Sequence, residues 1–537
     1  MGALTSSFKK AVIDDILGGI SSNTNYYYAF ASNPVPTNLP AANVVTDSNN
    51  TLLIPDYQML FGKLLTNNDI LPMILETTWT SGTVYARYDN TDANLASKNY
   101  YVITTPTNIG GWHNIYMCLD NANGAPSVAQ PDVIQPTSFK KQSDGYVWRY
   151  ITSISDRDYQ RFSTFNYVPV YANNTLALSA SVYAGVDVVK VNSGGSGNYG
   201  YLTYSNGTIQ SAPIPNILQV VSNSSPTTGF YNNCSIYIVN PLNNISELRT
   251  ITNYYTNTTG NWVQLDQNAN TNNIIPNITQ YTISPKVVFD TDGDIDPLGY
   301  SVINPVGNTI SQIVIINTGS NITRANVYIQ NNYSNFDTTF VAANLQAIVP
   351  PPGGYGADPV SQLNVQGLGI CFKFSNTENN TIPINMYYNK VGILKNPYCL
   401  TKIVGNTTSI SDPGGNKSTY PWTNATFSQI ISANISPSVT YSVGDTITGA
   451  NSGSVGTIAF ANSSVIYITG QKKFLPSEVI TNQNKVTTTI TINTDASNTY
   501  ITGSIYTKDV QPLYIQNIDD VKRSNSQTEN YKLIIQV

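Results

Sequence analysis

Two hydrophobic patterns divide this chain. Beyond about residue 175, Val, Ile, Thr and Tyr alternate with polar residues in short segments, broken by clusters of Asn, Gly, Ser and Pro every 8–12 residues or so. This period of two predicts half-buried strands. Helical signals are confined to the N-terminal third. In "TSSFKKAVIDDILGGI" (5–20), Phe8, Val12 and Ile16 recur at every fourth position, Thr5 or Ser6 can cap, and Gly18-Gly19 can end the helix. A second helix is expected after Pro55, through "DYQMLFGKLLTNND" (56–69). The expected fold class is mainly β (α+β), a β-sandwich core with a few flanking helices plus inserted small all-β modules.

Weak repeats sharpen the β reading. "VVKVNSG" (188–194) aligns with "IVIINTG" (313–319), and "YSVGDTIT" (441–448) aligns with "FLPSEVIT" (474–481). Each unit reads as a strand–turn–strand element. Two copies of each are too few for a solenoid, which needs at least three, so small β modules are expected. "IVPPPGGYGADPV" (348–360) is too rich in Pro and Gly for regular structure and predicts a rigid loop that returns the chain to another domain.

Candidate chemistry centres on "GGWHNIYMCLDNANG" (110–124), which holds the sole histidine close to a cysteine. Strand alternation places Trp112, Asn114, Tyr116 and Cys118 on one face and His113, Ile115, Met117 and Leu119 on the other. His113 and Cys118 therefore cannot form a dyad within this strand. Any Ser-His-Asp triad would have to use His113, and a three-histidine metal site is excluded. "GSGNYG" (195–200) has dinucleotide-loop spacing, but strand and turn follow it where a helix is required. The best metal candidate is "FDTDGDIDPLG" (289–299), in which Asp290, Asp292, Asp294 and Asp296 alternate around Gly293. Oxygen-rich loops hold calcium, yet the glycine is misplaced for an EF-hand and no Glu closes the loop. A polar turn between strands is the expected reading. Paired carboxylates for glycoside hydrolysis are not selected by any local pattern. No catalytic residue and no cofactor is expected.

Composition narrows the class. The 537 residues imply roughly two to four domains. Charged residues make up 11%, less than half of the roughly 25% usual in soluble domains. Polarity comes instead from 66 Asn with abundant Thr and Ser, beside 37 Tyr. Such a neutral, aromatic surface suits permanent protein contacts, although A/T-rich codon usage also raises Asn. The net charge is −5 and no basic run exceeds two residues, so no nucleic-acid partner is expected. The N-terminus has acids inside its apolar stretch and does not read as a signal peptide, and its formal myristoylation match, "MGALTS", lacks a polybasic partner. No run approaches the roughly 18 apolar residues of a membrane span. Cys118, Cys234, Cys371 and Cys399 are widely spaced and predict free buried thiols in a reducing compartment. The N-x-S/T sequons follow from composition.

Read in order, several stretches resemble a known family. They are "SSFKKAVIDDILGGI", "GGWHNIYMCLDN", "SDGYVWRYITSIS", "NKVGILKNPY" (389–398) and "RSNSQTENYKLIIQV" (523–537). Together they are similar to the dimeric baseplate-wedge subunits of T-even-type contractile-tailed bacteriophages. In that family a Trp-aromatic-Cys-Leu-Asp strand precedes an Asp-Gly-Tyr-Val-Trp strand, and a Gln-x-Glu strand closes the chain. Trp112, Cys118, Leu119, Asp120, Asp144, Gly145, Tyr146, Val147, Trp148, Gln527 and Glu529 occupy those places here. The resemblance covers about half the chain, and the segment "YIQNIDDVKRS" lacks the family's Asn-Arg-Pro run. It implies 1–175 as the N-terminal part of the wedge core, 176–364 as inserted β modules, 365–402 as a return to the core, 403–499 as inserted small β modules and 500–537 as C-terminal core strands.

The function it implies is non-enzymatic: a virion protein of the tail baseplate, assembled in the host cytoplasm. It would be a homodimer that bridges other wedge proteins, with tail-fibre proteins as further neighbours. Two other readings stay open. Tyr/Asn-rich β modules also suit a tail adhesin or carbohydrate-binding protein at the host surface. A glycan depolymerase would need a carboxylate pair on a long β-helix, for which the repeats are too few.

Overall fold

Strand dominates the computed structural model, as the alternating text predicts, and the protein is mainly β. The structure describes residues 6–32, 59–106, 110–132, 134, 140–171, 184–195, 204–221, 223–304, 309–330, 341–375, 382, 387–404, 407–410, 416–469, 474, 477–492, 505–506, 511–524 and 527–537. The chain divides into two units, one of 1–73 with 366–537 and one of 74–365. The second division lies beside the expected return to the core at 365, and the first falls inside the expected 1–175 segment.

In the first unit, a five-stranded sheet runs Thr426–Ser428, Met59–Leu64, Tyr27–Ser32, Tyr387–Lys395 and Gln511–Lys522 in spatial order. Thr528–Gln536 and Ile70–Leu75 flank Gly367–Ser375 in another sheet. Rings from both sheets interlock. Phe61 of the first meets Phe374 of the second edge-on at 5.0 Å, and Tyr388 and Tyr531 join through their hydroxyls at 2.5 Å. Such edge-to-face pairs favour one packing beyond their buried area.

The helix expected over 56–69 is corrected. Met59–Leu64 is a strand paired on both sides, and a short 3-10 turn, Asn67–Asp69, follows. Met59, Leu60 and Phe61 are consecutive and buried because neighbours cover both faces of the strand, so the alternation that marks a strand is missing. Gly62 is required there, since a Cβ would lie 2.2 Å from the Phe427 ring. The N-terminal helix forms at Ser6–Ser21 and runs past Gly18-Gly19. Its apolar side chains Ile13 and Ile20 are buried, while Phe8, in the apolar row of the sequence pattern, is exposed.

A closed six-stranded barrel occupies 430–492, and both copies of the second repeat lie within it. Tyr441 and Phe474, the repeat's aromatics, both enter the barrel core. The repeat's acids hold loops: Asp445 accepts from Ser442 N and the Asn482 and Gln483 amides, and Glu478 accepts from the Asn451 and Ser452 amides. The strands that follow, Thr446–Gly449 and Val479–Asn482, pair with each other.

The second unit starts from a sheet ordered Tyr101–Thr104, Trp112–Asn121, Tyr146–Ser155, Lys140–Lys141. Helix Asp156–Phe162 follows directly, with the Ser155 hydroxyl accepting from Asp158 N at 3.2 Å and acids in its first turn. Two further modules complete the unit. One is a seven-stranded sheet between Ser205 and Ser284, folded around its own core. The other gathers strands within 189–347 around a separate core. The first repeat lies in this last core. Val189 and Ile313 pack in the same cluster, and Gly194 lets the chains approach so closely that a Cβ would lie 2.3 Å from Ile310 O.

Candidate functional site

Three of the motif residues between 112 and 148, Cys118, Tyr146 and Trp148, converge on one small core, and Trp112 lies outside it. Tyr116 and Cys118 from Trp112–Asn121 pack with Tyr146 and Trp148 from Tyr146–Ser155, joined by Tyr85 and Val102. Tyr146 stacks on Trp148 at 5.5 Å, and Tyr85 meets Trp148 edge-on at 5.6 Å. The Tyr146 hydroxyl donates to Ala125 O at 2.6 Å and accepts from Tyr85 N at 3.3 Å, so a buried phenol is satisfied twice.

Asp144 and Gly145 make the turn that feeds this core. Gly145 has φ +89, a left-handed conformation that glycine adopts at no steric cost, and its N–H donates to Gln142 O at 3.0 Å. The Asp144 carboxylate accepts from Val128 N at 2.8 Å, Ala129 N at 2.9 Å, Tyr146 N at 3.1 Å and the Ser127 hydroxyl at 3.1 Å. Burial raises its pKa, but these donors outweigh burial and hold it below the usual carboxylate range. Asp144 thus ties the 127–129 loop to the hairpin. Asp120 has a smaller part, accepting from Ala122 N at 3.1 Å. Trp112 ends its strand 56% exposed.

His113 and Cys118 go to different places, as alternation requires. The His113 ring stacks on Tyr159 of helix Asp156–Phe162 at 3.7 Å and meets Asp156 Oδ1 through Nε2 at 3.3 Å. Burial lowers its pKa against the opposing pull of Asp156. Cys118 is fully buried, its thiol pushed well up by desolvation, which suppresses the reactive thiolate. Cys118, Cys234 and Cys371 are buried and form no disulfide among the described residues, and the Cys399 side chain lies outside them.

Two arginine–carboxylate pairs were not singled out from sequence, although Glu529 was. In the first unit Arg523 Nε reaches both oxygens of Glu529, at 3.2 and 3.0 Å, Nη1 donates to Ile382 O at 3.2 Å, and the guanidinium lies over Phe61. Gln527 sits in the preceding turn, its N–H on Ser524 O at 3.3 Å. In the second unit Arg149 Nη1 lies 3.5 Å from Asp187 Oδ2, and its guanidinium stands over Tyr355. Among the described residues neither Asp187 oxygen has a hydrogen-bond partner, and desolvation pushes its pKa up to about 6 against the pull of Arg149. Residues 187 and 355 bracket most of the modules, so this pair stands at their root. A signal was available: each residue is a lone charge inside an apolar run, "YVWRYI" and "GVDVV".

The aspartate loop is a turn between Val287–Thr291 and Leu298–Asn304. Asp292 accepts from the Thr323 hydroxyl and from Arg324 N and Thr323 N at 2.8 and 2.9 Å, which lowers its pKa to about 2. Asp296 takes the Thr291 hydroxyl, Asp294 the Asn321 amide, and Asp290 faces Arg324 at 3.9 Å. The four carboxylates accept from different donor groups, Asp290 and Asp292 meeting the side chain and the backbone N–H of Arg324 respectively. Among the described residues, no group of three or more His, Cys, Asp or Glu stands ready to hold a metal. The 195–200 glycine motif lies outside the described residues from 196 onward.

An open cleft of about 530 Å³ in the second unit is lined by Glu76, Lys98, Tyr101, Phe165 and Asn364 among others. Its charges are engaged: Glu76 accepts from Thr78 N, and Lys98 pairs with Asp92. Phe165 beside it is almost wholly exposed. Among the described residues no helix is long and apolar enough to cross a membrane. No protein-family model matches the chain, and no curated protein matches it significantly.

Proposed function

We propose that the chain is a non-enzymatic structural component of a phage tail baseplate wedge. In this reading it is a homodimer in the virion that bridges neighbouring wedge proteins, takes part in baseplate assembly in the host cytoplasm and follows the rearrangement linked to contraction. The observation that carries the reading is the use made of the motif residues. Cys118, Asp120, Asp144, Gly145, Tyr146 and Trp148, whose order resembles that family, are all spent on packing or on backbone hydrogen bonds in one hairpin core. Exposed aromatics such as Trp112 and Phe165 add surface of the kind enriched at protein interfaces.

The test is assembly. The purified full chain, alone and mixed with the other wedge proteins of its virion, is followed by analytical ultracentrifugation. A dimer that co-sediments with wedge partners supports the reading. A trimer with no affinity for them overturns it.

A further inference from the structure

The seven-stranded module at 205–284 has two outer faces, and they differ. Its long strand, Ile245–Asn257, pairs through residues 245–250 with Ser235–Asn240 and through residues 251–257 with Gly260–Leu265. Leu218, Ile236, Tyr254, Val263 and Tyr281 fill the core between the halves. On the first half, the outward ring Tyr237 is covered, stacked on Tyr300 at 4.6 Å.

The second half carries two outward rings, Tyr255 and Trp262, on which no other ring stacks among the described residues. Gln219, Trp262 and Tyr255 are in direct register across three strands, and Ile217, Gln264 and Asn253 form the next row. Alternation sets both rows opposite the buried Leu218, Val263 and Tyr254. Trp262 and Tyr255 are half-buried and contact no other aromatic ring among the described residues. The indole is fixed in place. Its Nε1 donates to Asn257 Oδ1 at 3.2 Å, and the same oxygen takes Thr259 N at 2.9 Å and Gly260 N at 3.1 Å. Gln219 Nε2 donates to Thr259 O at 2.7 Å, crossing Gly260, where a Cβ would stand 2.4 Å from that nitrogen. A loop built this way holds the ring without covering it.

We propose that this Tyr255–Trp262 face binds an uncharged, hexose-based polysaccharide. Ring faces carry negative quadrupole charge and attract the weakly positive C–H groups on one side of a pyranose, while its hydroxyls need neutral donors and acceptors. Gln264 and Asn253 supply both. No side chain in the two rows is charged at neutral pH, so an anionic ligand finds no counter-charge there. Two rings on adjacent strands, roughly 5 Å apart at the backbone, span about one sugar unit.

The inference does not depend on the baseplate reading. The full chain is screened on an array of neutral and acidic glycans, and affinity for a neutral hit is measured by calorimetry. Trp262→Ala is expected to weaken binding about tenfold or more, and Tyr255→Ala by a smaller factor. Gln264→Ala, which removes an amide from the surface without disturbing the core, guards against a folding artefact and is also expected to weaken it. Binding that all three variants leave unchanged, binding to acidic glycans alone, or no binding to any neutral glycan overturns the proposal. Co-sedimentation of Trp262→Ala with wedge proteins is expected to match the unaltered chain, which separates this result from the test of assembly.

Discussion

Each unit buries an arginine–carboxylate pair, and the two pairs are built differently. Arg523 Nε meets both oxygens of Glu529, Nη1 donates to the Ile382 carbonyl, and the guanidinium lies over the Phe61 ring. Arg149 Nη1 stands 3.5 Å from Asp187 Oδ2, and among the described residues neither Asp187 oxygen is hydrogen-bonded. Burial is near complete in both. Geometry therefore decides whether a buried pair repays its desolvation, since Coulomb attraction alone seldom does. The first pair anchors its sandwich. The second is a poised group, with Asp187 pushed up to about 6.

Breaking the well-made pair carries the largest expected effect. Glu529→Ala leaves Arg523 charged and buried, and about 3–5 kcal/mol of stability is expected to disappear in denaturant melts. A loss under about 1 kcal/mol would show that the pair is not what holds that core. Asp144 offers an intermediate case, a carboxylate satisfied by backbone amides. Asp144→Ala is expected to cost about 2 kcal/mol, and hydrogen exchange of Val128 and Ala129 should accelerate with it.

The poorly made pair is read through pH. The folded-state pKa of Asp187, about 6, lies above its ordinary 3.8, so the folded state holds this proton more tightly. Its stabilising contribution is full below about pH 4 and is lost as pH rises to about 6. Asp187→Asn is expected to flatten that part of the stability curve, and an unchanged slope would remove Asp187 as its source. His113 has the opposite sign. Burial lowers its pKa from 6.5, so its contribution is present above that value and lost as pH falls through the lower folded one. His113→Phe keeps a ring against Tyr159 and is expected to remove this smaller slope, seen as a melting temperature that changes less with pH below 6.5.

Much of the local structure was legible in the sequence. Alternation in "WHNIYMCL" placed His113 and Cys118 apart, whereas Asp144 and Gly145 entered only as the start of a strand motif and form the turn before it. The acid and aromatic of each 441/474 repeat matched real roles in the barrel. What escaped was set by tertiary context. Met59, Leu60 and Phe61 read as helix because a strand covered on both faces loses its period of two. Phe8 read as a core residue because a four-residue spacing fits more than one face of a short helix. Asp187 and Arg149 were visible as charges inside apolar runs, but their pairing depends on the fold bringing distant segments together. The Gln219–Trp262–Tyr255 row required strand register, which no local pattern contains.

The baseplate reading is tested most directly by an electron-microscopy reconstruction of the virion tail that carries this chain. The account predicts density for two copies in each baseplate wedge, joined to each other and to neighbouring wedge proteins. Density for the chain only outside the baseplate, as trimers at a fibre tip, would contradict it.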